Sequence, residues 1–313
     1  MKDFAIVVDS ACDLTEEYLT KYNIRLLQGH IHLPDKTEIT AFQKWETVTR
    51  EQFYADLKND PEGFSTSPPN VSEFQAEFES HLAEGRDVLC ITLSGGISGS
   101  YNFSLQAREL ALANYPDRTV RCVDSLRFGP AFGLMAVHAS MLRSEGKSLI
   151  DVTDWLETNK NRYHQAGWLD DLSFVAKKGR LTHAKAFFGT LVGVKPIGEF
   201  DYNGLTTVIG KVKGAKTAYR VLLDYIESTA VDLENQIVFI AHTNRYANAV
   251  KYKELIEEHF HPRAVYINDV FPICGINVGP GLMAAYYMGA PISADLSEEK
   301  CLIEQAIEKE QGT

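Results

Sequence analysis

The chain has 313 residues, of which 45% are hydrophobic and 23% charged, and this is typical of a globular protein large enough for two domains. The formal net charge of −11 argues against a nucleic-acid-binding protein, because phosphates are neutralised by a basic surface. Five scattered cysteines without a CxxC pair indicate neither a disulfide framework nor a zinc site and favour a reducing cytoplasm. Without a leader or an apolar run of about 18 residues, we expect a cytoplasmic protein that does not span a membrane.

Short β-rich runs alternate with helical patterns over residues 1–160, which we predict to form the N-terminal domain. Asn70 with Glu73 three positions later is a capping-box variant that predicts a helix start at residue 71. The alternation predicts an α/β domain with a mostly parallel sheet and helices on both faces. The predicted strands are 4–8, 87–93 and 119–123, and the predicted helices are 15–22, 51–58, 71–84, 101–114, 129–144 and 148–162.

The pattern changes in residues 161–313, which we predict to form a C-terminal α+β domain with antiparallel strands. Asn203-Gly204 lies between two β-rich runs and is a strong hairpin signal. The predicted strands are 166–169, 194–200, 206–212, 236–240 and 264–270, the predicted helices are 218–227 and 246–258, and a further apolar run covers 187–192.

Two hydroxyl-rich loops are the features that point to function. Ser94–Ser100 follows a buried strand and opens a helix, and Phe64–Asn70 precedes another helix. Ligands of parallel sheets bind beyond the carboxyl ends of the strands, where the first loop, Asp9-Ser10 and Asp124-Ser125 are all expected. Hydroxyls and helix N-terminal amides suit an anion, so we interpret the two loops as a carboxylate-binding pair.

Two other interpretations of the Ser94–Ser100 loop stay open. The loop is equally compatible with a tight turn whose glycines relieve crowding. A nucleophile elbow would make Ser98 the nucleophile of an acyl hydrolase, but Ser100 stands where that motif needs glycine. Neither a dinucleotide-binding fingerprint nor a Walker loop is present.

Several further side chains have a structural and a functional interpretation. Thr66 is either a turn residue or a second hydroxyl for the anion. Arg180, in the cluster Lys177–Arg180, either lies at a solvated helix end or turns inward to complete the anion site. His242 is the best candidate for a site histidine, although a structural role is favoured. No histidine spacing predicts a metal site.

Two apolar stretches punctuated by glycine, 128–135 and 273–283, are most simply core segments. An alternative is that they line a cavity behind the hydroxyl loops. In that case the ligand would be an anion with a long apolar tail.

Together, several motifs in chain order resemble the DegV family, the fatty-acid-binding subunits of bacterial fatty acid kinase. Their joint order, spread over nearly the whole chain, is more specific than any single motif. The matching residues are Asp9-Ser10 with Asp13-Leu14, Thr66-Ser67-Pro68-Pro69, Ser94–Tyr101, Asp124-Ser125 with Gly129 and Gly133, Leu172 with Lys177–Arg180, Val194-Lys195-Pro196-Ile197, and Gly279-Pro280-Gly281.

The resemblance implies a two-domain protein that buries a long-chain fatty acid, with the carboxylate at the domain interface and the chain inside one domain. It implies that a separate fatty acid kinase converts the presented carboxyl group to acyl phosphate for phospholipid synthesis. The binding protein itself would perform no chemistry and would need no cofactor or metal. A serine acyl hydrolase using Ser98, or a binding protein for another amphipathic anion, is the alternative.

The resemblance also assigns residues. Thr66 and Ser98 resemble the hydroxyl residues that contact the carboxylate, with Ser94 in the same loop, and Arg180 resembles the arginine that supports them. Asn277 stands where the family usually has a histidine, two residues before Gly-Pro-Gly. Because Asn cannot become cationic, we expect a carboxylate site that is less sensitive to pH. Gly95 stands where the family often has a second serine.

Overall fold

The computed structural model of the protein describes residues 4–181 and 193–311, so the apolar run 187–192 lies outside the described residues. Two compact units are present, and neither is a single continuous stretch of chain. The first unit comprises Met1–Trp45, Glu62–Lys160 and Phe271–Cys274. The second unit comprises Glu46–Pro61, Asn161–Val270 and Gly275–Thr313.

A parallel sheet of four strands forms the centre of the first unit. The strands are β1 (Phe4–Asp9), β2 (Ile24–Leu27), β6 (Asp87–Thr92) and β7 (Val120–Asp124). They lie in the order β2-β1-β6-β7. The two inner strands are buried along their whole length, which explains their uninterrupted apolar sequence. Thr92 pairs with Asp124 in register, so adjacent strands end at the same edge.

Helices cover this sheet and supply its core. Phe74 and Phe78 pack with Val88 and Cys90 in one fully buried cluster. Asn70 and Glu73 form the predicted capping box, and Ser148 and Asp151 form a second one. The helices are α1 (Glu16–Lys21), α3 (Val71–Ala83), α4 (Ser100–Asn114), α5 (Pro130–Ser144) and α6 (Leu149–Asn159).

The first unit also contains a small antiparallel sheet that the sequence did not predict. Its strands are β3 (His30–His32), β4 (Glu38–Thr40) and β5 (Ser65–Ser67), in the order β4-β3-β5. Thr66 pairs with Ile31 across β3 and β5. His30 and His32 share one face and both lie within 3.5 Å of Glu38.

A mixed sheet of six strands forms the centre of the second unit. The strands are β8 (Tyr163–Leu169), β9 (Val194–Phe200), β10 (Thr206–Lys213), β11 (Ile237–His242), β12 (Ala264–Asp269) and β13 (Leu282–Met288). They lie in the order β10-β9-β8-β13-β11-β12. β11 and β12 are parallel, and the remaining pairs are antiparallel. The predicted hairpin is present as β9 and β10.

One helix of the second unit comes from early in the chain. Tyr54 donates a hydrogen bond of 2.9 Å to the Val270 carbonyl, and Arg50 lies 3.0 Å from Asp269. These contacts explain why the helix of Arg50 and Tyr54 belongs with residues far along the sequence. The helices are α2 (Arg50–Asn59), α7 (Ser173–Lys177), α8 (Ala215–Thr229), α9 (Tyr246–Phe260) and α11 (Ser297–Gln311), with the last residues of α10 (Pro272–Val278), which begins in the first unit.

The predicted fold class is confirmed, with a mostly parallel α/β sheet in one unit and an α+β arrangement with antiparallel strands in the other. The helix predicted over 148–162 ends at Asn159, and a short 3-10 turn continues it to Arg162. Within residues 4–181 and 193–311, no helix is both long and apolar enough to cross a membrane.

Candidate functional site

The carboxylate of Asp9 ties the end of β1 to the serine-rich loop after β6. Its Oδ2 accepts hydrogen bonds from the Leu93 amide at 2.9 Å and the Ser100 hydroxyl at 2.7 Å, and its Oδ1 accepts from the Ala11 amide. Burial raises the pKa of the Asp9 carboxyl above its ordinary value, although these hydrogen bonds act in the opposite direction. Both ends of the loop are therefore fixed to β1.

Within that loop, serine hydroxyls and amides hold each other in place. The carbonyl of Ser94 accepts hydrogen bonds from the Ile97 and Ser98 amides, and the Ser94 hydroxyl accepts from the Gly96 amide. The Ser98 hydroxyl accepts from the Ser100 amide at 3.2 Å, which leaves its own proton to donate. Ser94 is buried, whereas Ser98 is only half-buried. Of the two, Ser98 is the hydroxyl better placed to meet a ligand.

The loop after β7 is bound to the same serine loop. Asp124 Oδ1 accepts hydrogen bonds from the Gly95 and Leu126 amides, each at 3.0 Å. The Ser94 amide donates to the Arg127 carbonyl, also at 3.0 Å. A Cβ atom at Gly95 would lie 2.7 Å from Asp124 Oδ2, which gives a steric reason for glycine here. The predicted convergence of these loops at the carboxyl edge of the sheet is confirmed.

The second hydroxyl loop lies close to Gly29, which is bonded to Ser10 at the end of β1. The Ser10 hydroxyl accepts a hydrogen bond of 3.0 Å from the Gly29 amide. A Cβ atom at Gly29 would lie 2.7 Å from the Ser67 carbonyl, so β5 passes close to this turn. Thr66, the residue before Ser67, is half-buried. A chain of contacts through Asp9 and Ser10 thus links the two hydroxyl loops.

Arg180 and Asn277 belong to the second unit. Arg180 is half-buried just beyond α7, and its guanidinium donates to the Lys178 carbonyl. Asn277 is half-buried on α10, two residues before Gly279. A Cβ atom at Gly279 would lie 2.4 Å from Phe174 Cγ, so the Gly-Pro-Gly turn packs directly on α7. The segments that carry Arg180 and Asn277 are therefore in contact within this unit.

His242 has the structural role that the sequence favoured. It is buried at the end of β11, and its Nε2 lies 3.3 Å from Arg50 Nη1 and 3.5 Å from Asp269. Burial, and secondarily the charge of Arg50, lower the pKa of His242 to about 4. A neutral imidazole that accepts from a guanidinium stabilises the packing of α2 in this unit.

Two features of the first unit were not predicted from the sequence. Arg127 is fully buried in the loop after β7, and a cation two residues after Ser125 is the signal that could have found it. Ser67 of the second hydroxyl loop has a histidine partner, since its hydroxyl lies 3.1 Å from His32 Nε2. The hydrogen bonds of Ser98 to other described residues include no histidine. Among residues 4–181 and 193–311, no cluster of acidic, histidine or cysteine side chains is suited to a metal.

Comparison with known proteins places this geometry in a family. The profile described as an uncharacterised protein of the DegV family matches residues 3–289. The chain belongs to the DegV family. It is 31% identical over 291 residues to a DegV domain-containing protein of Clostridium perfringens, covering 92% of this chain and 98% of that protein. It is 29% identical over 276 residues to a Staphylococcus aureus DegV domain-containing protein, covering 88% and 95%.

Solved DegV structures have the same fold. A Thermus thermophilus DegV family protein described by its fatty acid binding aligns with a TM-score of 0.81 at 23% identity, covering 92% of this chain and all of that one. DegV of Bacillus subtilis, described as a fatty acid binding protein, aligns with a TM-score of 0.77 at 25% identity, covering 92% and 100%. A stearic-acid-binding protein of Eubacterium ventriosum aligns with a TM-score of 0.78 at 21% identity, covering 91% and 98%.

Proposed function

We propose that this DegV protein binds a long-chain fatty acid and holds its carboxylate with the Thr66 and Ser98 hydroxyls. The observation that supports the proposal most directly is the Asp9-Ser10 turn, where Asp9 binds the Ser94–Ser100 loop and Ser10 binds the Gly29 amide, which lies beside Ser67 of the second loop. The fatty acid binding of its structural relatives supports the choice of ligand. Arg180 and Asn277 complete the proposed set of carboxylate ligands on the strength of the family resemblance.

The chemistry of the hydroxyl loops suits binding without reaction. A carboxylate removed from water needs several hydrogen-bond donors, and the Ser98 hydroxyl has a proton to give because its oxygen accepts from an amide. Burial of the acyl chain contributes about 0.8 kcal/mol per CH₂ group. The chain therefore dominates the affinity, and the polar residues fix the position of the carboxyl group.

In the proposed cellular role, the protein presents the bound carboxyl group to a separate fatty acid kinase, and the acyl phosphate then enters phospholipid synthesis. The protein itself carries out no chemical step and acts in the cytoplasm. Asn277 in place of the usual histidine makes the headgroup contacts of this protein less dependent on pH.

A hydrolase that uses Ser98 is disfavoured by the contacts of that serine. Nucleophilic serines need a base within hydrogen-bonding distance. The Ser98 side chain is instead bonded to an amide two residues away.

Mass spectrometry of the purified protein tests the proposal. Protein from a bacterial host, denatured and extracted, is expected to release long-chain fatty acid, and delipidated protein is expected to bind added oleate. The double variant Thr66→Ala/Ser98→Ala is expected to keep its fold and bind oleate at least about 10-fold more weakly, as for the loss of hydrogen bonds to a charged group. The matched control is Ser104→Ala, whose hydroxyl donates to its own helix. Repeated recovery of empty wild-type protein that ignores oleate would refute the proposal.

A further inference from the structure

Arg127 is a fully buried cation in the loop that follows β7. None of its surface is exposed, although arginine is rarely buried completely. Its guanidinium folds back on its own loop, where Nη1 donates to the Leu126 carbonyl at 2.7 Å. The positive charge is therefore held in the interior at this loop.

The backbone of Arg127 is bound to the serine loop that forms the proposed carboxylate site. Its carbonyl accepts hydrogen bonds from the Ser94 amide at 3.0 Å and from the Ser125 hydroxyl at 2.9 Å. Its amide donates to the same Ser125 hydroxyl at 3.0 Å. Asp124 fixes the two loops to each other through the Gly95 and Leu126 amides. Arg127 and the serine loop are thus parts of one hydrogen-bonded assembly.

The charges on these loops give Arg127 a role in ligand binding. Asp124 places a carboxyl group on the same assembly, and a carboxylate repels an incoming anion. A neutral hydroxyl donor does not offset that repulsion, whereas a guanidinium does. Away from bulk water, the attraction between a guanidinium and a carboxylate is stronger than at a surface.

We propose that Arg127 is a specificity-determining residue that makes the site select a carboxylate over a neutral headgroup on the same chain. This inference rests on the proposed fatty acid binding and adds to it the residue that supplies the positive charge in the first unit. Thr66 and Ser98 can donate hydrogen bonds to an alcohol as well as to a carboxylate, so they do not discriminate between the two. Discrimination requires charge.

The experiment compares oleate with oleyl alcohol, which has the same chain and a neutral headgroup. Affinities are measured by displacement of a fluorescent fatty acid from delipidated protein, for the wild type, Arg127→Met and Arg127→Lys. Wild type is expected to prefer oleate. Arg127→Met is expected to lose about 10- to 100-fold in oleate affinity, as for a hydrogen-bonded charge, while its affinity for the alcohol changes less than about 3-fold. Arg127→Lys keeps the charge and is expected to retain most of the preference.

A matched control is Arg143→Met in the same unit. Arg143 donates to the Phe4 and Tyr22 carbonyls and lies on α5, outside the two loops. It is expected to lose stability without changing the ratio of the two affinities. Both affinities are measured on the same preparation, so a partly unfolded fraction of a variant does not change the ratio of oleate to oleyl alcohol affinity.

Two results would overturn the inference while the proposed function stands. One is wild-type protein that binds oleate and oleyl alcohol equally well. The other is an Arg127→Met variant with an unchanged or equally reduced affinity for both ligands, or an Arg127→Lys variant that loses the preference for oleate. If Arg127→Met does not fold, the wild-type comparison and Arg127→Lys still decide. If wild-type protein binds neither ligand, the proposed function itself fails.

Discussion

The Ser100 hydroxyl donates a hydrogen bond of 2.7 Å to the carboxylate of Asp9, a residue 91 positions earlier in the chain. Both side chains are buried. Asp9 ends β1 and Ser100 begins α4, so this bond fixes a strand end and a helix start on either side of the serine loop. The position of the Ser98 hydroxyl therefore depends on a contact that Ser98 does not make.

Replacement of Ser100 by alanine is expected to weaken both stability and oleate binding. The loss of a buried hydrogen bond to a carboxyl group should lower the free energy of unfolding by about 1–3 kcal/mol at pH 7. Because the Ser100 bond lowers the pKa of Asp9, its removal raises that already elevated pKa further. A carboxyl with a raised pKa in the folded state lowers the free energy of unfolding as the pH rises from its unfolded to its folded pKa, so in denaturant unfolding the loss for Ser100→Ala should begin at about pH 4 and extend to higher pH than for wild type.

The control for that variant is Ser104→Ala. Ser104 is equally buried on the same helix, but its hydroxyl donates to the Tyr101 carbonyl. We expect its oleate affinity to equal that of wild type, and an equal loss of binding in the two variants would argue against a specific role for the Asp9 contact.

The two capping boxes predict a separation of stability from binding. Asn70→Ala and Ser148→Ala each remove a helix N-cap and should each cost about 1 kcal/mol in urea unfolding. Asn70 is the last residue of the hydroxyl loop of Thr66, so its loss should also weaken oleate binding, whereas Ser148→Ala should not. Asn70→Asp retains the cap and is expected to restore both properties. Similar binding by Asn70→Ala and wild type would show that the helix start does not position Thr66.

Gly279 is expected to tolerate no side chain. It has a φ of +76° and lies against the ring of Phe174, so alanine would meet both backbone strain and a steric clash. Gly179 has a similar φ of +73° with open space around it, and Gly179→Ala therefore measures the backbone strain alone. We expect thermal unfolding to show a cost of about 1 kcal/mol for Gly179→Ala and several kcal/mol for Gly279→Ala. Equal costs in the two variants would mean that the turn at Gly279 moves away from Phe174 of α7 without lowering the free energy of unfolding.

His242 makes the stability of the second unit depend on pH. Its pKa in the folded protein is about 4, below the ordinary 6.5, so the unfolded chain binds more protons between these values. The free energy of unfolding should then fall as the pH drops from 6.5 to 4, by about 1.4 kcal/mol for each pH unit. His242→Gln does not titrate and should show a smaller fall in urea unfolding over that range.

Two further variants check the assignment to His242. Arg50→Gln removes the charge that disfavours the imidazolium, so it should also reduce the pH dependence. His259 is exposed on α9, and His259→Gln should leave the dependence unchanged. If His259→Gln reduced the pH dependence of the free energy of unfolding as much as His242→Gln does, the burial of His242 would not be the cause of that dependence.

The sequence was sufficient to predict the elements that have a local signal in the chain. The helix start at Val71 and the hairpin around Asn203-Gly204 followed from local signals, a capping box and a turn. The gathering of the Asp9, Ser94 and Asp124 loops at one edge followed from a general property of parallel sheets. These predictions depended on periodicity and turn chemistry, which act over a few residues.

The features that were not predicted depend on contacts between distant residues. β4 has three exposed residues and no apolar alternation, so nothing local marks it as a strand. Helix α2 was predicted, but its membership of the second unit depends on Asp269 and Val270. The burial of Arg127 likewise follows from the packing of its loop, because a cation after Asp124-Ser125 marks the position but does not by itself predict burial.

The contact between Tyr54 and Val270 also constrains how this protein is made. During synthesis, α2 leaves the ribosome long before its partner carbonyl, since 216 positions separate the two. Until Asp269 and Val270 have been synthesised, α2 lacks these two partners. The first unit at that stage also lacks Phe271–Cys274. A nascent chain halted at residue 160 would therefore hold neither unit in finished form, and release of the C-terminal segment that follows β12 would be the step that allows both to close.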